Sequence, residues 1–170
     1  MFQEPAPEFG EHHTYFLQNK RTGQPDYFQA GEKNMTICGI EMSASEVRLV
    51  LLQGEKENFT LVDTEPRKIK LTDDADQDEV KTFRNSIFAY FRENQVSEIV
   101  IKTRGKKGEF SGGPVGFKLE GIIQLYGECP VTLIAPQTIS AVQKKYHIEK
   151  PIELTKYQHT AFETAFSKLP

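Results

Sequence analysis

The residues able to do chemistry in this chain are a few charged side chains set against apolar segments. Glu41 closes the run TICGIE, and a carboxylate at the end of an apolar strand is costly to bury without a partner. His159 and Glu163 stand four residues apart in an expected helix, so they are neighbours on one face. They suffice as a structural pair without any further role. Lys102, Arg104, Lys106 and Lys107 crowd into a loop opened by Gly105, a pattern suited to phosphate oxygens or simply to solvent. Gly112, Gly113 and Gly116 surround the start of the next helix. Their amides suit either an anion or close packing, but no Gly-Lys-Ser/Thr follows to make a P-loop.

Other groups of polar residues lack the required pattern. Asp74, Asp76 and Asp78 imitate a calcium loop, yet its sixth position is Glu79 rather than glycine and its twelfth is Asn85 rather than glutamate. The acidic run reads instead as the start of a helix, where carboxylates meet unpaired amides. Cys38 and Cys129 have neither CxxC nor Cys/His spacing, so they read as buried thiols rather than zinc ligands or a disulfide. His12 and His13 have no companion ligands nearby in sequence.

The elements that must position these groups follow from hydrophobic periodicity. Three strands come first: Thr36 to Glu41, Glu46 to Gln53, and Phe59 to Thr64 with a resumption at Lys68 to Leu71. The second, EVRLVLLQ, is apolar on both faces, as a central strand is. The links are short, Ser43-Ala44-Ser45 and Gly54 to Asn58, so the three form an antiparallel meander. A helix with Val80, Phe83, Ile87 and Phe91 on one stripe follows, then the strand Glu98 to Lys102. A second helix opens at Pro114 with Val115, Leu119, Ile122 and Tyr126 facing inward. Val131 to Ile134 is a further strand, Pro136 to Tyr146 a short helix, and Thr155 to Leu169 a final helix. Phe162, Ala165, Phe166 and Leu169 form the buried stripe of that last helix. Alternating strands and helices in the second half imply right-handed crossovers and parallel pairing.

Bulk properties narrow the class. A length of 170 residues with 38% hydrophobic content suits one self-sufficient domain. Residues 1–34 show no apolar periodicity and read as a disordered or loosely packed extension, with Met35 a candidate start and 35–170 the folded domain. The N-terminus has neither a basic n-region nor an apolar h-region, and no run reaches membrane-span length, so the expected location is the cytoplasm. Residues 1–34 carry three basic and five acidic side chains, which leaves the rest at −1 from a total of −3. A near-neutral domain is no general polyanion binder, so nucleic-acid affinity must come from a local patch.

Three antiparallel strands followed by α-β-α-β-α resemble the ribonuclease H-like fold, a mixed five-stranded sheet flanked by helices. The segments ICGIE, EIVIKTRGKKGEFSGGPVGFKLEGIIQL and VTLIAPQTISAV are similar to a small bacterial family known as domain of unknown function 3010, and the resemblance spans Met35 to Leu169. More distantly, the layout resembles RuvC-type Holliday-junction resolvases, in which acids on the first strand, a later strand and the last helix bind two divalent metals. That resemblance implies a nuclease-like protein with nucleic acid as partner and magnesium or manganese as cofactor if active. It makes Glu41, His159 and Glu163 the candidate catalytic residues, with Glu41 and Glu163 as metal ligands. Lys102, Arg104, Lys106, Lys107 and Gly113 become the candidate nucleic-acid or anion contacts. Lys102 stands where those nucleases place a glutamate, and an ammonium does not ligate a metal at neutral pH. First and fourth strands are neighbours in this fold, so an ion pair of Lys102 with Glu41 competes with a residual metal site. The alternative function is a non-catalytic scaffold for a protein partner or a phosphorylated small ligand.

Overall fold

A computed structural model of the chain describes residues 35–105 and 113–170. The N-terminal extension, Lys106, Lys107 and Gly112 lie outside the described residues. Strand β1 (Thr36–Ser43) turns back through Ala44 and Ser45 into β2 (Glu46–Glu55), with Ser43 opposite Glu46. Ala44 takes φ 52°, the left-handed conformation that tight hairpin turns demand. Strand β3 (Asn58–Val62) pairs antiparallel with the far half of β2, and β4 (Lys68–Lys70) with its near half. Helix α1 (Gln77–Glu93), β5 (Glu98–Lys102), helix α2 (Pro114–Gln124), β6 (Val131–Ile134) and helix α3 (Pro136–Tyr146) follow. A single 3-10 turn, Lys156–Gln158, leads into helix α4 (His159–Lys168).

The sheet order is β3-β2-β1-β5-β6, with β4 off this path on β2. β5 lies parallel to both β1 and β6. The expected five-strand path is therefore present. The resumption at Lys68 forms a sixth, separate strand, because residues 63–67 leave the sheet between β3 and β4. Two groups fill the gap they leave on β2. The Leu49 N–H donates to the Arg67 carbonyl at 2.9 Å, and the Gln158 Nε2 amide donates to the Leu49 carbonyl at 3.2 Å.

Each face of the sheet carries its own core, as the alternation of strand side chains requires. On one face Cys38, Ile40, Leu49, Leu51, Ile99 and Ile101 meet Phe83, Ile87 and Phe91 of α1 and Leu119 and Ile123 of α2. On the other, Ile37, Val50, Leu52 and Val100 meet Ala161, Phe162, Ala165 and Phe166 of α4. α1 starts where the acidic run allows. The Asp76 carboxylate accepts from the Asp78 N–H at 2.7 Å and the Glu79 N–H at 3.4 Å, which satisfies donors that no helical carbonyl can reach.

One glycine fixes how α4 sits. A Cβ on Gly39 would meet the Ala161 carbonyl and the Ala165 amide, and would lie 2.6 Å from the Ala165 Cβ. α4 therefore rests directly on the β1 backbone, and its first turn reaches the carboxyl end of that strand. No helix among the described residues is long and apolar enough to cross a membrane.

Candidate functional site

Glu41 lies two residues beyond Gly39, on the α4 side of β1 near its carboxyl end. In open sheets with parallel strands, ligands gather at that end. Register sets its neighbours. Glu41 is opposite Arg48 on β2, and Arg48 is opposite Lys68 on β4. On the other side Ile40 is opposite Ile101 of β5, which brings the next residue, Lys102, alongside Glu41. A row of four charged side chains thus crosses four strands: Lys102, Glu41, Arg48, Lys68.

The row is joined by ion pairs. Arg48 Nη1 donates to Glu41 Oε2 at 3.4 Å, and Lys102 Nζ lies 3.8 Å from Glu41 Oε1. Glu46, also on this face, accepts from Arg48 Nε at 3.0 Å and lies 3.8 Å from Lys68 Nζ. Tyr157, from the 3-10 turn, covers the row on the β2–β4 side. Its ring centroid is 5.9 Å from the Arg48 guanidinium carbon and 5.5 Å from Lys68 Nζ, within cation–π range.

Arg104 follows Lys102 by two residues, past the end of β5. Its guanidinium packs on Gly116 of α2, in the space a Cβ would need. Burial pulls the guanidinium below its ordinary pKa, while the carboxylates of Glu120 and then Glu41 oppose that fall. Its Nη2 is buried with no hydrogen-bond partner among the described residues. Gly113 caps α2 without any side-chain bond and is exposed, with open space where a Cβ would be. Of the described glycines around this helix start, Gly116 is therefore the one in close contact. The contacting group is an arginine side chain, not the sheet.

The other candidates lie apart from this row. Glu163 forms its ion pair with Lys150, at 2.7 Å, rather than with His159. His159 is half-buried in the first turn of α4. Among the described residues no group of three or more His, Cys, Asp or Glu side chains stands close enough to hold a metal ion. Glu41, His159 and Glu163 are thus not assembled into one donor set. The chemistry around Glu41 argues the same way. A divalent cation needs several oxygen donors, whereas Glu41 is flanked by an ammonium and a guanidinium with a second guanidinium beyond. The residues present do not fit magnesium or manganese. A cleft of about 410 Å³ opens elsewhere, along the interrupted sheet edge between β3 and Leu154. It is lined by polar and apolar groups in near-equal measure and does not include Glu41 or Lys102.

Sequence reasoning singled out Glu41, Lys102 and Arg104 but not Arg48, Lys68 or Tyr157. Glu46 and Arg48 alternate with Val47 and Leu49, and that period-two pattern places both charges on one face of an otherwise apolar strand.

Fold and site together define a chain of ribonuclease H-like fold in which Glu41 is paired with side-chain cations. Two solved structures with this architecture are similar. Thermus thermophilus RuvC matches with a TM-score of 0.58 and 14% identity, covering 78% of this chain and 92% of that one. T. thermophilus RuvC in complex with Holliday junction substrate matches with a TM-score of 0.56 and 13% identity, covering 78% and 91%. Residues 35–168 match the family model described as "Protein of unknown function (DUF3010)", and the chain belongs to that family. No curated protein matches it in sequence.

Proposed function

We propose that this chain is a nucleic-acid-binding protein of ribonuclease H-like fold. In this reading it grips backbone phosphates with side-chain cations where related nucleases would use divalent metals. One observation carries it: Glu41 is held between Arg48 and Lys102. Lys68, Arg48, Lys102 and Arg104 face Glu41, Glu46 and, beside Arg104, Glu120, a formal surplus of one positive charge. Phosphate oxygens are the natural complement of such a surplus, and most protein–DNA hydrogen bonds go to phosphate and sugar. The similarity to a RuvC structure bound to a Holliday junction makes branched DNA the first substrate to try. Lys106 and Lys107, which lie outside the described residues, and Gly113 are proposed as further phosphate contacts. A metal-dependent nuclease is the reading this one displaces, because Glu41 already has cationic partners and Glu163 is engaged by Lys150.

The test measures binding of four labelled substrates: a four-way junction, a single strand, a duplex and an RNA–DNA hybrid. Each is titrated in chelator and again in magnesium or manganese. Binding that survives the chelator, weakens with salt and leaves the substrate uncut is expected. Metal-dependent cleavage that disappears in Glu41→Ala would restore the nuclease reading. Failure to bind any of the four would favour the scaffold reading instead, with a protein or phosphorylated small molecule as ligand.

A further inference from the structure

Among the described residues Tyr157 is the one aromatic ring within cation–π range of the charged row, and its turn fixes its placement. It sits in a 3-10 turn closed at both ends. The Thr155 hydroxyl donates to Gln158 Oε1 at 2.8 Å, and the Thr155 N–H reaches the same oxygen at 3.4 Å. Gln158 is 5% exposed and is tied to β2 through the Leu49 carbonyl. The turn is thereby anchored to the sheet on either side of the tyrosine. The ring itself is half-buried rather than sunk in the core. The two cations that flank it, Arg48 and Lys68, are members of the row proposed to hold phosphates. The Lys68 side chain remains 56% exposed, so it is free to turn from the ring toward a phosphate.

A positively charged track interleaved with an aromatic face is the arrangement by which proteins hold unpaired nucleotides: cations follow the backbone while bases stack on rings. A base inside a duplex has both faces covered by its neighbours and offers nothing to such a ring. We propose that Tyr157 is a seat for one unpaired base, so that the site favours single-stranded over duplex nucleic acid. This rests on the phosphate-binding reading above. The aromatic group supplies the strand preference, and the cations supply affinity common to both forms.

The experiment compares the full-length protein with its Tyr157→Leu, Tyr157→Phe and Lys102→Glu variants. Fluorescence anisotropy is read on a labelled oligothymidylate and on a blunt duplex of equal length. Loss of one stacked base predicts that Tyr157→Leu weakens oligothymidylate binding by roughly 5- to 100-fold more than duplex binding. Phenylalanine keeps the π face and should recover most of that loss. Lys102→Glu should weaken both substrates alike. A second measurement uses the unaltered protein: an oligonucleotide carrying a photoreactive halogenated uracil should crosslink to Tyr157. If Tyr157→Leu weakens both substrates equally or neither, or if crosslinks map only to other residues, the base seat is wrong. If Lys102→Glu also changes neither, the phosphate-binding reading fails with it. A Lys102 effect without a Tyr157 effect leaves that reading standing alone.

Discussion

Lys102→Glu strikes the charged row beside Glu41, and its cost follows from the geometry. At 3.8 Å from Glu41, and an effective dielectric of ~20, the bare attraction is about 4 kcal/mol. Both side chains keep contact with water, 32% and 20% exposed, so the realised value is that of a screened pair, about 1 kcal/mol or less. The substitution removes that attraction and adds a repulsion of similar size. The apo variant should lose about 1–2 kcal/mol, a fall of roughly 3–8 °C in Tm. It also turns the formal surplus of one positive charge around Glu41 into a deficit of one. Duplex affinity should drop roughly 10- to 100-fold, the worth of one charge-assisted hydrogen bond. The slope of log K against log salt should become shallower by about 0.9 for the lost phosphate contact. Two carboxylates would then face each other. Millimolar magnesium should raise the variant's Tm, through a stabilisation of about 2.7 kcal/mol at a hundredfold excess over Kd, and leave the wild type unchanged. Scanning calorimetry with and without the metal reads this directly. An equal metal response in both proteins, or an unchanged salt slope, would falsify the assignment of Lys102 to the site.

Three further outcomes are expected. Gly39→Ala forces a methyl into the α4 backbone, which has no side-chain end to swing away, so unfolding in urea should show a loss of about 3 kcal/mol or more. Gly116→Leu should cost about 1–3 kcal/mol by displacing the Arg104 guanidinium. Adding Arg104→Ala should then cost less than it does alone, a coupling that a double-mutant cycle measures. Alkali should also destabilise the fold. Burial raises the Cys38, Cys129 and Tyr90 pKa values, and pushes Tyr126 up to about 12 from 10.0. The unfolded chain therefore loses these protons first. Stability is full below about pH 8 and should fall as the pH rises from the free thiol value of 9.0 toward 12. A Tm that stays flat across that range would contradict the burial of these groups.

The fold was legible because its signals are local and agree with one another. The α1 stripe of Phe83, Ile87 and Phe91, the acidic start at Asp76, Pro114 opening α2, and the apolar Ile37, Ile40 and Ile99 each point to one placement. The site was half legible. Lys102 beside Glu41 follows from strand adjacency alone. Arg48 was missed for want of a single residue. Reading Ser43-Ala44-Ser45 as a three-residue turn sets Glu41 opposite Val47. The real turn is two residues, with Ala44 left-handed, and that shift brings Arg48 opposite Glu41 on the same face. Alanine carries no signal for such a backbone. Lys68 and Tyr157 depend on β4 being a separate strand and on the 3-10 turn before α4, both set by tertiary contacts rather than by periodicity.

The plug at Leu49 bears on how this protein behaves in a crowded solution. β2 is long and apolar, and a gap in the strand beside it would present an open N–H and carbonyl to any passing chain. Such exposed edges invite strands from other molecules. Here both groups are already engaged, one by the Arg67 carbonyl and one by the Gln158 amide. A side chain from just before the last helix thus acts as a guard against intermolecular strand pairing. Solubility and the seating of the last helix are linked through one amide. Gln158→Ala would open the edge and loosen that turn together, so light scattering at high concentration should register the first loss while the monomer still folds.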